Sequence, residues 1–132
     1  SEPLMTYACH CKSCQKRTGS AFSMGLIILS DSLQTRGKLS AWSRFSEEGD
    51  TNTRYSCADC GNIIYGINEA SPELAKLQAG ILEDTSNIEP EVHIWTCRKQ
   101  GWFDIPAGAP CFDKQADAMT LLQAAQEYRG RT

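Results

Sequence analysis

Five of the seven cysteines stand in two tight groups. Cys9, Cys11 and Cys14 form a C-x-C-x-x-C arrangement, and Cys57 and Cys60 form a C-x-x-C arrangement. Thiols this close pair with one another only through strained local loops, but together they can chelate one metal ion. The total is odd, whereas a disulfide-framed secreted domain tends to carry an even number spread along the chain. The pattern therefore predicts zinc binding in a reducing compartment, and the cytoplasm is the expected location.

In the first group, a strand over 4–8 would let Cys9 and Cys11, two residues apart, point the same way as it ends. A turn at Lys12-Ser13 would return Cys14 toward both, so that three thiolates converge about 2.3 Å from one ion. The following Gln15-Lys16-Arg17-Thr18-Gly19-Ser20 offers no fourth strong ligand. Three protein ligands and an open position are what a catalytic zinc needs. A fourth ligand from His10, His93, Cys97 or Cys111 would instead close the site into a structural one, and spacing admits both readings. Alternation points His10 away from its two neighbours, and His93 equally suits a core position in an alternating Val-His-Ile-Trp strand. Cys97 and Cys111 stand alone and read as ordinary small thiols.

The second group, Cys57-Ala-Asp-Cys60-Gly61, reads as a zinc knuckle in which the glycine relieves the tight turn. It is half of a tetrahedral site and needs two further ligands. A redox-active pair is the weaker reading. The segment after Cys60 looks like a strand, so no helix N-terminus is there to lower a thiol pKa.

Short runs rich in β-branched and aromatic residues must position these groups. They cover 4–8, 22–30, 41–46, 53–57, 62–68, 76–82 and 91–96, with turn formers at Gly37-Lys38, Glu48-Gly49-Asp50 and Ser71-Pro72. The pattern predicts a mainly all-β fold of packed antiparallel sheets. One helix is expected over 114–129, where Ala118, Leu121, Leu122, Ala125 and Tyr128 form a stripe, with Asp113 as its cap and Gly130 as its end. No linker is evident, so residues 1–132 read as one domain.

With 41% hydrophobic and 22% charged residues, the composition is that of a folded globular chain. A net charge of −3 gives no footprint for nucleic acid. The longest apolar run, Met24–Leu29, is too short to span a membrane, and no signal peptide is expected.

The stretch from Cys9-His-Cys-Lys-Ser-Cys-Gln-Lys-Arg-Thr-Gly-Ser-Ala-Phe22 through Tyr55-Ser-Cys-Ala-Asp-Cys-Gly61 to Val92-His-Ile-Trp95 and Trp102 resembles the glutathione-dependent formaldehyde-activating enzyme family, which also includes centromere protein V. The resemblance implies an all-β zinc fold of packed antiparallel sheets, shared with methionine sulfoxide reductase B and Rab-activating accessory proteins. It implies a catalytic zinc on Cys9, Cys11 and Cys14, and half of a structural zinc site at Cys57 and Cys60. The other half in that family is a C-x-C pair on an upstream strand. The eight residues before Cys9 hold no such pair, so an N-terminal part of the domain is expected to be missing.

The activity implied is a carbon–sulfur lyase acting on S-hydroxymethylglutathione, with a small thiol such as glutathione and a small aldehyde as partners. A zinc held by three thiolates suits an incoming thiol, which loses its proton on coordination and stays nucleophilic. Gln15, Lys16, Thr18 and Ser20 are placed to orient a substrate, and Gly19 to leave it room. Lys16 or Arg17 could meet a glutathione carboxylate, although two exposed cations beside a loop are usually just a solvated face. The alternative class is a non-catalytic, zinc-stabilised binding module, marked by a fourth protein ligand.

Overall fold

Residues 3–45 and 49–131 are described by a computed structural model. Eight strands lie in one hydrogen-bonded sheet: β1 Met5–Cys9, β2 Ser23–Leu29, β3 Leu39–Phe45, β4 Thr51–Cys57, β5 Ile63–Asn68, β6 Leu74–Gln78, β7 Val92–Ile94 and β8 Cys111–Phe112. A short helix α1, Lys12–Thr18, follows β1, and α2, Ala118–Arg131, closes the chain. The expected mainly-β fold with a C-terminal helix is what the chain adopts. Its strands link continuously in the order β3-β4-β5-β6-β2-β1-β7-β8. Antiparallel pairing prevails, but β1 with β7 and β7 with β8 are parallel. The chain returns to β1 only after a long excursion, and such a crossover permits the parallel direction.

Several boundaries differ from the sequence expectation, each for a local reason. The strand expected over 76–82 runs from Leu74 to Gln78, because Ala79–Ile81 tighten into a 3₁₀ turn. The run expected over 91–96 stops at Ile94. Trp95 there takes a left-handed backbone with φ 58°, and Thr96–Arg98 form another 3₁₀ turn. Two-residue β8 had no periodicity to reveal it. The helix begins at Ala118 rather than Lys114, and the Asp117 carboxylate caps it by accepting from the Thr120 amide at 2.7 Å. Upstream, the carbonyls of Asp113 and Lys114 accept from the Cys97 and Trp95 amides, each at 3.3 Å, so they are not free to start a helix. Gly130 lies within α2 and does not end it. At the expected Glu48-Gly49-Asp50 turn, Gly49 has φ 87°, while Glu48, like Ser46 of the strand expected over 41–46, lies outside the described residues.

The sheet is curled rather than flat. Four strands separate β3 from β1, yet Arg44 Nη1 on β3 donates to Ser13 Oγ on α1, just beyond β1, at 2.8 Å. Strand twist accumulating across the sheet produces this closure. On the inner face, Met5, Cys9, Ile27, Val92 and Ile94 pack with Leu121 and Ala125 of α2 as the buried core. Arg129 anchors the far end of α2 by pairing with both oxygens of Glu91, at 2.5 and 2.9 Å.

Candidate metal centre and its cleft

The strand alternation that buries Met5 also turns Tyr7 and Cys9 inward, and Cys9 ends β1 opposite Ser23 of β2. Past the strand, Cys11 caps α1, its sulfur accepting from the Cys14 amide at 3.4 Å. One helical turn then returns Cys14 toward Cys11. A turn at this point was expected, and α1 supplies it in helical form.

The structure thus brings together three of the five expected ligands. The sulfurs of Cys9, Cys11 and Cys14 all lie within 4.8 Å of one another. Three sulfurs bound tetrahedrally at 2.3 Å to one zinc would be roughly 3.8 Å apart, so small rotamer changes gather them. Among the described residues, no fourth His, Cys, Asp or Glu joins the group.

The fourth-ligand candidates are elsewhere. His10 and His93 are each 1% exposed and meet each other, His10 Nε2 to His93 Nδ1 at 3.0 Å. Phe22 and Phe103 surround His10 at ring distances of 5.0 and 5.7 Å. Burial, followed by the charges of His93 and Lys99, holds the His10 pKa down to about 4. Cys97 and Cys111 are exposed single thiols.

The three clustered thiols do not hold their protons equally. Cys14 is shifted far toward the thiolate by hydrogen bonds from Cys11 and Cys9, with Ser23 and the Arg17 charge adding to this. Cys9 is shifted the other way, because it donates to Cys11 and Cys14 and is also buried. The trio behaves as a shared thiolate, and a divalent cation would replace the remaining protons. Such a donor set fits a thiophilic ion.

Cys9 and Cys14 also line a cleft of about 750 Å³ between the curled sheet and α2. Arg17 reaches into its wall from α1, donating from Nη2 to Cys14 Sγ at 3.4 Å. With the Gln78 amide nitrogen turned to the Met24 carbonyl, the Gln78 oxygen accepts from Arg17 Nη1 at 2.6 Å. Tyr7 lies across Gly25, where any Cβ would come within 2.5 Å of the phenol ring, so glycine is required. Burial raises the Tyr7 pKa well above its usual value, and the Cys14 and Cys9 charges add to that shift, so its hydroxyl stays protonated. Trp95 lines the cleft as well, in its left-handed conformation.

The polar tail after the cysteines is placed otherwise than expected. Gln15 turns away, donating to the carbonyls of His10 and Arg98 at 2.7 and 3.0 Å. Thr18 bonds back to the Cys14 carbonyl at 2.8 Å. Gly19 caps the C-terminal end of α1 with φ 65°, and Lys16 and Ser20 are exposed. Of this stretch only Arg17, read from sequence as solvated, enters the cleft wall. The sequence pointed to none of Tyr7, Ser23, Arg54 and Lys76, and to Trp95 only within the family motif. The Met5-x-Tyr7-x-Cys9 alternation alone could have placed Tyr7 beside the thiols.

Cys57 ends β4 and forms the expected knuckle. The Gly61 amide donates to the Cys57 carbonyl at 2.9 Å, and Gly61 has φ 82°. The amides of Cys60 and Asp59 turn toward the Cys57 sulfur and lower its pKa. Among the described residues, no further ligand gathers at Cys57 and Cys60, and neither joins the first cluster. No helix of the described residues is long and apolar enough to cross a membrane.

A comparison with curated proteins finds no matching sequence. The sequence profile of the glutathione-dependent formaldehyde-activating enzyme matches residues 1–98, which hold both cysteine groups, α1 and every strand from β1 to β7. The chain belongs to that family.

Proposed function

We propose that the chain is a zinc-dependent carbon–sulfur lyase that joins and releases glutathione and formaldehyde as S-hydroxymethylglutathione. One observation carries this reading: three sulfurs within 4.8 Å of one another, two of them, on Cys9 and Cys14, lining a cleft large enough for a small peptide, with no fourth ligand among the described residues. In the synthetic direction the thiol sulfur forms a bond to the aldehyde carbon, the carbon–oxygen double bond becomes single, and the thiol proton ends on that oxygen. The reverse step breaks the carbon–sulfur bond and returns the proton to sulfur.

Cys9, Cys11 and Cys14 would hold the zinc, which, when bound, supplies a position where an incoming thiol is deprotonated. Arg17, against Cys14, offsets the negative charge of the three thiolates. Tyr7 keeps a neutral hydroxyl beside the same sulfurs and is suited to donate a hydrogen bond to the aldehyde oxygen as charge develops on it. Trp95 walls the cleft and, with α2, limits access of water. Cys57 and Cys60 would bind an ion firmly only with ligands from outside the described residues. A non-catalytic module would call for a fourth ligand at the first cluster.

The test combines metal content with turnover. Purified protein should carry zinc that Cys11→Ser largely removes. The wild type should accelerate exchange between glutathione, formaldehyde and their adduct, followed by NMR. Undiminished zinc in the variant, or no acceleration by zinc-loaded protein, would overturn the proposal.

A further inference from the structure

The inner face of the sheet carries a row of residues directly opposite one another: Met5 on β1, Ile27 on β2, Lys76 on β6, Gly66 on β5 and Arg54 on β4. The first two are apolar and buried beneath α2. The last three are different, because two long cations flank a residue with no side chain. Strands spaced about 4.8 Å apart put the Lys76 and Arg54 backbones roughly 10 Å from each other, with an open place between them. Gly66 has no positive φ, and the one close neighbour a Cβ would meet is the Thr53 backbone carbonyl, a tight 3.3 Å away, so a side chain there needs a small shift of β4.

Among the described residues, the cleft wall holds four cations, Arg17, Arg44, Arg54 and Lys76, against two carboxylates, Asp50 and Asp117. Asp117 is occupied as the cap of α2. Among the described residues, the ion pair present is Arg129–Glu91, outside the cleft, and none of the four cations has a carboxylate partner. Arg54 rests over the Trp42 ring at 5.3 Å, which orients the guanidinium without neutralising it. Burial, and then the like charges of Arg17 and Arg44, lower the pKa of Arg54. Burial also lowers that of Lys76, with the Arg54 and Arg17 charges adding to it and the Cys9 and Cys14 charges opposing it. Arg17 faces the Cys14 sulfur, but holding Arg44, Arg54 and Lys76 close together without carboxylate partners costs stability, and an anionic ligand would relieve that cost.

We propose that Arg54 and Lys76, with Gly66 open between them, form a seat for the carboxylate groups of the thiol substrate. The thiol enters the cleft with its sulfur toward Cys9, Cys11 and Cys14 and its anionic end across β4 to β6. Arg17 stands between the two ends. The site thereby selects thiols that carry carboxylates over neutral or cationic thiols of the same reactivity. The inference rests on the thiol-binding reading above, and the two can fail separately.

Calorimetry on the zinc-loaded protein tests it with glutathione, its diethyl ester, in which both carboxylates are masked, and S-methylglutathione, which keeps the carboxylates but cannot offer a thiolate. Charge-assisted contacts of this kind predict glutathione binding about ten-fold or more tighter than the diester. Lys76→Gln and Arg54→Gln should each weaken glutathione by about ten-fold, leave the diester unchanged and leave zinc content unaltered. Gly66→Leu should fill the seat and weaken glutathione similarly while keeping every charge. Equal binding of glutathione and diester, or indifference to all three variants, overturns the seat. Cobalt-substituted protein separates the two readings. A spectral change equally strong with diester and acid keeps the thiol reading and removes the seat. Variant-sensitive binding of S-methylglutathione, with no spectral change on adding glutathione, keeps the seat and removes the thiol reading.

Discussion

Cys14 and Cys9 have the same side chain and are pushed in opposite directions, because one accepts hydrogen bonds and the other donates them in a buried cluster. The same sensitivity to partners applies to His93. Burial lowers its pKa, so the folded protein holds its imidazole neutral where an unfolded chain would protonate it. The stability this contributes is fully present above the unfolded value of about 6.5. It is lost progressively as pH falls below that, since only the unfolded state then takes up the proton. The chain has two histidines, so their NMR resonances are readily assigned. His93 should titrate with a midpoint below 6.5, and a midpoint at or above that value would contradict its burial against His10.

At the scale of elements, α2 is held by its apolar stripe and by the Arg129–Glu91 ion pair. Glu91 takes the Thr6 amide at 2.9 Å and the Arg129 guanidinium at 2.5 and 2.9 Å, joining β1, the start of β7 and the end of α2. The Glu91 side chain is 13% exposed, so losing its partner leaves a largely desolvated charge. Arg129→Met should therefore destabilise the protein by about 1–3 kcal/mol, and Glu91→Gln by less. Leu121 is buried in the core, and Leu121→Ala should cost about 2–4 kcal/mol. Urea unfolding measures all three. An Arg129→Met midpoint equal to wild type would place the pair among surface contacts of little worth.

Across the whole molecule, the first cysteine group joins the end of β1 to α1, and the Arg44–Ser13 bond carries that connection to the far edge of the curled sheet. A bound ion there should brace the cleft as a unit. Chelation should lower the thermal midpoint, and added zinc at 1,000 times its dissociation constant should restore about 4 kcal/mol. The knuckle gathers no further ligand among the described residues, so it should contribute little to this. The Cys57→Ser/Cys60→Ser double variant should keep the zinc stoichiometry and most of the chelator response. Loss of half the bound metal on that change would show that the knuckle holds an ion of its own.

Local rules carried much of this in the sequence. Cysteine spacing named the three residues that converge, because two-residue alternation and one tight turn leave their side chains few places to go. Runs of β-branched residues placed seven strands, and the Leu121–Ala125 stripe placed the helix. What spacing left undecided was whether a fourth ligand closes the first group. That depended on where His93, Cys97 and Cys111, far along the chain from the first group, come to rest. Register and curl are long-range properties, set by which strands pair. They turned Arg17 from an apparent surface charge into a neighbour of Cys14, and aligned Lys76, Gly66 and Arg54 in one row. They also left Gly19 at the far end of α1, away from the chemistry. Local sequence determined which thiols gather, because a cluster that could hold a metal ion is built from near neighbours. Only the tertiary structure decided the cleft, because its walls come from strands that meet through backbone pairing no short window records.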